Sequence, residues 1–233
     1  MSAEPVRRFY KTAAVAPDGA GIVLDERRLR TPGGAAFAAP TRALAQAMAA
    51  EWEAQEASIV PASMPLTQLA FAAIETTPRR RGELLAHVAK YAETDLLCHR
   101  AETPQALVNR QAALWDPILE WSREAMGAAP QVVAGIIAAP AAAGVTEALR
   151  GRAQSLDDFR LTALAHAVGV SGSAIIGFAL MYGAIDAARA FEAAALDELW
   201  SLERWGEDAE ARTRLDRLNI DFEAIELFFK ALQ

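Results

Sequence analysis

The chain has 233 residues, 53% hydrophobic and 23% charged, a balance that excludes disorder as the dominant state. Its 23 basic and 30 acidic residues leave a net charge of −7, the wrong sign for a general nucleic-acid binder or a polybasic membrane-surface protein. The single cysteine, Cys98, excludes an intramolecular disulfide framework and any multi-cysteine zinc or iron–sulfur site.

The opening residues, MSAEPVRRFYKTAA, read as neither a secretory signal nor a complete transit peptide. Residues 7–15 read as a strand that stops at Pro17-Asp18-Gly19, where Pro presets φ and Gly admits a positive one. Strands over 21–24 and 28–30 follow, and a short extended piece over 35–38 leads to Pro40. A meander this short needs a helix across one face. Thr41 can cap that helix, which carries Leu44, Met48 and Trp52 on one side at four-residue spacing. A second apolar stretch covers 66–74. Thr76-Thr77-Pro78 starts the next helix and marks a domain boundary.

Beyond residue 78 the pattern is helix after helix, with no paired strand expected past Leu84. Thr103-Pro104 opens a helix that Asp116-Pro117 either kinks or recaps. Further helices are predicted over 141–154, 156–168, 173–182, 187–205 and 207–233, with Ser155 and Asp186 as caps. Alanine, at 54 residues, favours close helix packing. Residues 161–185 carry no charged side chain and are long enough to cross a bilayer. The Gly-Val-Ser-Gly-Ser run at 169–173 reads instead as a break between two buried helices. The fold class is therefore α+β: a small antiparallel β-rich domain with a covering helix over 1–76, then a larger all-α domain over 77–233.

No enzyme motif stands out. His87, His99 and His166 lack ligand partners at chelating spacing and read as ordinary buried or half-buried side chains. Cys98 is a nucleophile only if the fold supplies a base. The glycine-rich run at 169–173 lacks the lysine of a phosphate loop. Arg79-Arg80-Arg81 reads as a solvated charge cluster. The acid pairs Glu51/Glu53, Asp197/Glu198 and Glu207/Asp208 are too close in sequence to flank one substrate bond. No catalytic residue, metal or cofactor is assigned. Five tryptophans remain, several beside acids, each either core or, where exposed, an interface anchor.

Several strings taken in order carry a resemblance. They are Arg8-Phe9-Tyr10-Lys11, Leu24-Asp25-Glu26-Arg27, Leu29-Arg30-Thr31-Pro32, Glu51-Trp52-Glu53-Ala54-Gln55 and Met64-Pro65-Leu66-Thr67. Further on come residues 91–98, Trp115-Asp116-Pro117-Ile118, Leu196-Asp197-Glu198 and Trp205-Gly206. From about residue 7 to residue 208 the chain resembles the F1-ATPase assembly chaperones that bind the free alpha subunit, a family of mitochondria and alphaproteobacteria. The resemblance implies a non-enzymatic chaperone that shields the alpha subunit's interface until the beta subunit replaces it. It implies partner-binding roles for Trp52 and Glu198, although periodicity puts Trp52 in the core. It departs at Ser201, where the family pattern has a glutamine three residues after the glutamate. It also implies a chain that is monomeric when free, without nucleic acid or stable membrane insertion. The compartment would be the bacterial cytoplasm, or the mitochondrial matrix for a processed eukaryotic form. Two other classes fit the composition: an enzyme with an interdomain pocket, and a membrane-associated helical protein using residues 161–185.

Overall fold

A computed structural model describes residues 6–134, 143–206 and 208–233. The chain opens with a three-stranded antiparallel sheet, β1 (Ala13–Val15), β2 (Ile22–Leu24) and β3 (Arg27–Arg28), in that order. Ala13 lies opposite Leu24 and Val23 opposite Arg28. Gly19 supplies the positive φ of the first turn, at +78°. There the Asp18 carboxylate pairs with Arg28 and accepts the amides of Gly21 and Ala20, which together hold its pKa down to about 2. The predicted strand over 7–15 is paired in the sheet only from Ala13, with Arg7 making a lone bridge to Ser58. The reason is local. The amides of Lys11 and Thr12 donate to the Asp25 carboxylate at 3.0 and 2.9 Å, so they cannot join a ladder. The fourth extended piece likewise reduces to one bridge, Arg30 to Ala36.

The covering helix α1 (Arg42–Glu53) begins as expected, with Thr41 Oγ1 accepting the Leu44 amide at 3.1 Å. Leu44, Met48 and Trp52 are all buried on the face toward Ile22 and Leu24. Next come α2 (Pro65–Glu75) and α3 (Thr77–Glu93), the latter with Pro78 in its first turn and non-helical dihedrals at Arg80. A short 3-10 turn, Leu96–Cys98, leads to β4 (His99–Arg100). Helix α4 (Gln105–Met126) runs uninterrupted through Pro117, so Asp116-Pro117 does not recap it. Pro117 is solvent-exposed, where the carbonyl it leaves without a helix donor can be hydrated. Gly127, at φ +64°, closes α4.

Strand β5 (Val133–Ala134) pairs parallel with β4, His99 opposite Val133 and Arg100 opposite Ala134. This corrects the expectation of no paired strand beyond Leu84. Two residues per strand are too few to show a period of two, so the ladder left no sequence pattern.

The remaining helices are α5 (Ala143–Gln154), α6 (Asp158–Ser171), α7 (Ala174–Met181), α8 (Ala187–Trp205) and α9 (Ala209–Ala231). The alanine-rich stretch at 138–142, with the predicted start of α5, and Glu207 lie outside the described residues. The break predicted in 161–185 is present. Gly172 ends α6 at φ +71°, and Ser173 Oγ caps α7 by accepting the Ile176 amide at 3.0 Å. All eight residues of α7 are buried. A Cβ on Gly177 would come within 2.9 Å of Val168 Cγ2, so glycine there lets α7 close on α6. Among the described residues no helix is long and apolar enough to cross a membrane.

Two local assignments change. Asp157, rather than Ser155, caps α6 by accepting the Arg160 amide at 2.9 Å, while the Ser155 hydroxyl donates to the Arg152 carbonyl. The helix starts at Asp158, so Asp157 stands at the capping position and Ser155 lies two residues too early to reach the first free amides. The arginine run is not simply solvated. Arg81 pairs with Asp158 and donates to the carbonyls of Gln154 and Leu156, tying α3 to the α5–α6 connection. Across the molecule, the last carbonyls of α9 and its cap accept from Thr41 Oγ1 and Arg160 Nη2. That clasp holds the C-terminal helix against α1 and α6, over an apolar core that runs from Ile22 and Leu44 to Phe228.

Candidate partner-binding surface

The Glu51-to-Gln55 motif lies at the end of α1 and works inward. Glu51 accepts the amides of Leu66 and Thr67 at 2.7 and 2.8 Å and the Thr67 hydroxyl at 2.7 Å, so it caps α2 from another helix. Burial pushes its carboxyl above the usual range despite these donors. Glu53 accepts the Ala13 amide at 2.6 Å, on the edge of β1. Gln55 is buried, donates to the Glu51 carbonyl and Ser63 Oγ, and accepts the Val60 amide at 2.7 Å. Between them, Trp52 is 8% exposed and its carbonyl accepts the Tyr10 hydroxyl at 2.6 Å. Its indole Nε1 is the one buried side-chain nitrogen or oxygen among the described residues that has no hydrogen-bond partner.

The residues around Cys98 are also structural. Asp95 is fully buried and accepts Ser173 Oγ at 2.6 Å and the amides of Ile175 and Leu97 at 3.1 Å. It thus holds the start of α7 against the 3-10 turn, and burial pushes its carboxyl up to about 6. Burial, with Asp95 adding to it, pushes the Cys98 thiol up to about 12, the reverse of what a nucleophile needs. His87 packs edge-on against Tyr91, and burial lowers His166. Among the described residues no three His, Cys, Asp or Glu side chains are arranged to hold a metal.

The hairpin of α8 and α9 works outward. Ala187, Ala190, Ala193 and Leu196 form the buried face of α8. Asp197 accepts Gln111 Nε2 at 2.8 Å, and Glu198 pairs with Arg214 of α9 at 2.5 Å. The Glu198 side chain is 30% exposed. The Trp200 ring lies under the Arg204 guanidinium at 4.5 Å, with Arg110 of α4 at 5.9 Å. Arg110 in turn grips Glu203 at 2.6 and 2.9 Å and holds that carboxyl below its usual range. Ser201 Oγ donates to the Asp197 carbonyl at 2.8 Å, so it folds back on its own helix. At the tip, Trp205 is 88% exposed and Gly206, at φ +94°, ends the helix. Alongside, α4 and α8 border an open groove of about 480 Å³ lined by Arg110, Leu114, Phe191 and Leu199 among others.

Trp52 and Glu198 are therefore not brought together: one is buried under the sheet, the other lies on the hairpin. Sequence reasoning missed Arg214 as the partner of Glu198 and left Trp205 undecided between core and surface. No periodic signal was available for Trp205: about five helical turns beyond Ala187 it falls back in line with the edge of the buried face, and only the end of the helix frees it from the core.

Among the described residues, then, the carboxylates of the α1–α2 junction and Asp95 cap helices, the Cys98 thiol is not activated, and the α8–α9 hairpin turns paired charges and the Trp205 indole to solvent. The class is an assembly chaperone, and a family model described as ATP12 chaperone protein matches residues 7–123. The chain belongs to the ATP12 chaperone family, whose members are chaperones of ATP synthase assembly. Protein atp12, mitochondrial, from Schizosaccharomyces pombe is 28% identical over 219 residues, covering 87% of this chain and 75% of that protein. The crystal structure of Atp12 from Paracoccus denitrificans is 38% identical, covers 98% of this chain and 99% of its own, and superimposes with a TM-score of 0.91. A crystal structure from Agrobacterium tumefaciens is 34% identical, covers 97% of this chain and 86% of its own, and gives 0.90.

Proposed function

We propose that this chaperone binds the free alpha subunit of the F1 sector and covers its subunit interface until the beta subunit takes its place. The observation that carries this is the ordered series of motifs from Arg8-Phe9-Tyr10-Lys11 to Trp205-Gly206, the pattern of the alpha-binding chaperones. The family membership supports the chaperone part, and the outward charges of α8 and α9 are suited to a temporary partner. Unassembled subunit surfaces are apolar and aggregate when exposed, so cover by a moderate, displaceable interface is what assembly requires. Residues 1–76 act as scaffold and residues 77–233 carry the client surface. Trp52 serves binding through the fold, and Glu198 serves it by contact. The chaperone works without cofactor or catalysis, as a monomer before client binding, in the bacterial cytoplasm or, for a processed eukaryotic form, the mitochondrial matrix.

Separate co-purification with isolated alpha and beta subunits tests this. Alpha is retained and its aggregation suppressed without nucleotide consumption, while beta is not retained. Equal protection of alpha, beta and an unrelated aggregating protein would reduce the chain to a general holdase.

A further inference from the structure

We infer that the α8–α9 hairpin docks the client, with the Trp205 ring entering an apolar recess on the F1 subunit that is rimmed by basic side chains. This rests on the reading that the chain holds an F1 subunit.

The other four tryptophans are each accounted for within the fold. Trp52 and Trp115 are 8% and 1% exposed. Trp115 Nε1 donates to the Ala193 carbonyl at 2.9 Å, Trp121 packs against Tyr182, and Trp200 lies under Arg204. Trp205, at 88% exposed, contributes almost nothing to the core. An indole offers roughly 150–250 Å² of burial, and aromatic anchors of that kind dominate protein interfaces.

The surroundings say what kind of surface would receive it. Trp205 ends a 19-residue helix and so projects as a convex knob, which fits a concave recess rather than a flat face. The helix beneath is braced by the Arg110–Glu203 and Arg214–Glu198 pairs, which bring neighbouring helices to it and limit the ordering cost of docking. From Asp197 to Arg214 the sequence holds six carboxylates against three cations, Arg204, Arg212 and Arg214, and Arg110 of α4 reaches Glu203. The acidic excess that remains complements a basic rim and disfavours an anionic lipid surface. A net charge of −7 on each copy likewise opposes docking of the hairpin onto a second copy of this chain.

The test uses the full chain and isolated alpha subunit, with wild type, Trp205→Ala and Trp205→Phe compared by co-purification, thermal melting and tryptophan emission. Trp205→Ala should weaken client binding by about thirtyfold or more, the loss expected of a hot-spot anchor, with an unchanged melting temperature. Trp205→Phe should retain an intermediate affinity. The emission difference between wild type and Trp205→Phe should shift to the blue and lose iodide quenching when the client is added. Client binding by Trp205→Ala at wild-type strength overturns the docking assignment and leaves the functional reading standing. Wild-type protein that retains no F1 subunit overturns both. Protection of the indole that grows with chaperone concentration alone assigns the hairpin to self-association, and overturns the assignment as well.

Discussion

The α1–α2 junction and the α8–α9 hairpin are built from the same residue types, a tryptophan among carboxylates, and use them in opposite directions. At the junction Glu51 and Gln55 are turned onto backbone amides and carbonyls, Glu53 is shared between the Ala13 amide and Arg8, and Trp52 is buried beside them. On the hairpin Glu198 and Glu203 are turned onto arginines of neighbouring helices, and Trp205 is left in solvent. A carboxylate that caps a buried helix end is costly to remove, because amides lose their only acceptor. A carboxylate in a surface ion pair contributes little to stability and is free to serve recognition. Nearby composition therefore says little about role, and where each oxygen's donors sit says a great deal.

The largest effect should come from the junction. Trp52→Ala removes a buried aromatic from beside Tyr10, Met48 and Leu44 and should cost about 3–5 kcal/mol, measured by denaturant unfolding. Trp52→Phe sharpens the test. It keeps most of the ring and deletes an indole N–H that has no acceptor, so it should recover most of that loss. A Trp52→Ala protein of wild-type stability that fails to bind client would break the comparison, because Trp52 would then be acting as a contact residue.

Asp95 extends the contrast to the helical region. Asp95→Ala strands Ser173 Oγ and two amides in a dry interior, at roughly 1–3 kcal/mol for each group left unpaired. The wild-type carboxyl also carries a pH signature. Its folded pKa, about 6, lies above the ordinary 3.8, so the folded state holds the proton more tightly than the unfolded chain does. The associated stability is complete below the unfolded value and is lost as pH rises through about 6. Melting of wild type and Asp95→Asn between pH 4 and 8 should show the wild-type advantage shrinking up to about 6 to 7 and flat beyond. A gap that stays constant with pH would show that Asp95 titrates at its ordinary value.

What was legible in the sequence was local. Thr41 and Asp186 cap the helices that follow them within three residues, and Gly172 breaks 161–185 where its positive φ is needed. What was not legible crosses the chain. Glu51 caps a helix 15 residues away, Arg81 grips a turn more than 70 residues on, and Thr41 reaches the carbonyl of Ala231. None of these leaves a period or a motif, because their geometry exists only once the helices have packed. The β4–β5 ladder failed to register for the same reason, with partners 34 residues apart. The candidate site divides similarly. Resemblance supplied Glu198, but its pairing with Arg214 and the exposure of Trp205 belong to the packed hairpin.

A far smaller effect on stability than at Trp52 or Asp95 is expected at Glu198, and a separation of stability from binding goes with it. Its carboxylate makes one ion pair, with an Arg214 side chain that is 64% exposed. Exposed pairs of this kind are worth about 0–1 kcal/mol, so Glu198→Gln should melt within a few degrees of wild type. Glu198→Lys goes further and sets a cation against Arg214, but both long side chains can swing into water, and the melting temperature should again fall only slightly. Binding should behave otherwise. Neutralisation removes an attraction, whereas reversal also opposes like charges across an interface that has lost water, so the order of alpha-subunit affinity should be wild type, then Glu198→Gln, then Glu198→Lys. If Glu198→Lys unfolds outright, Glu198 is as structural as Glu51 and the contrast between the two regions collapses. If it is stable and binds at full strength, the docking surface lies elsewhere on the hairpin or off it.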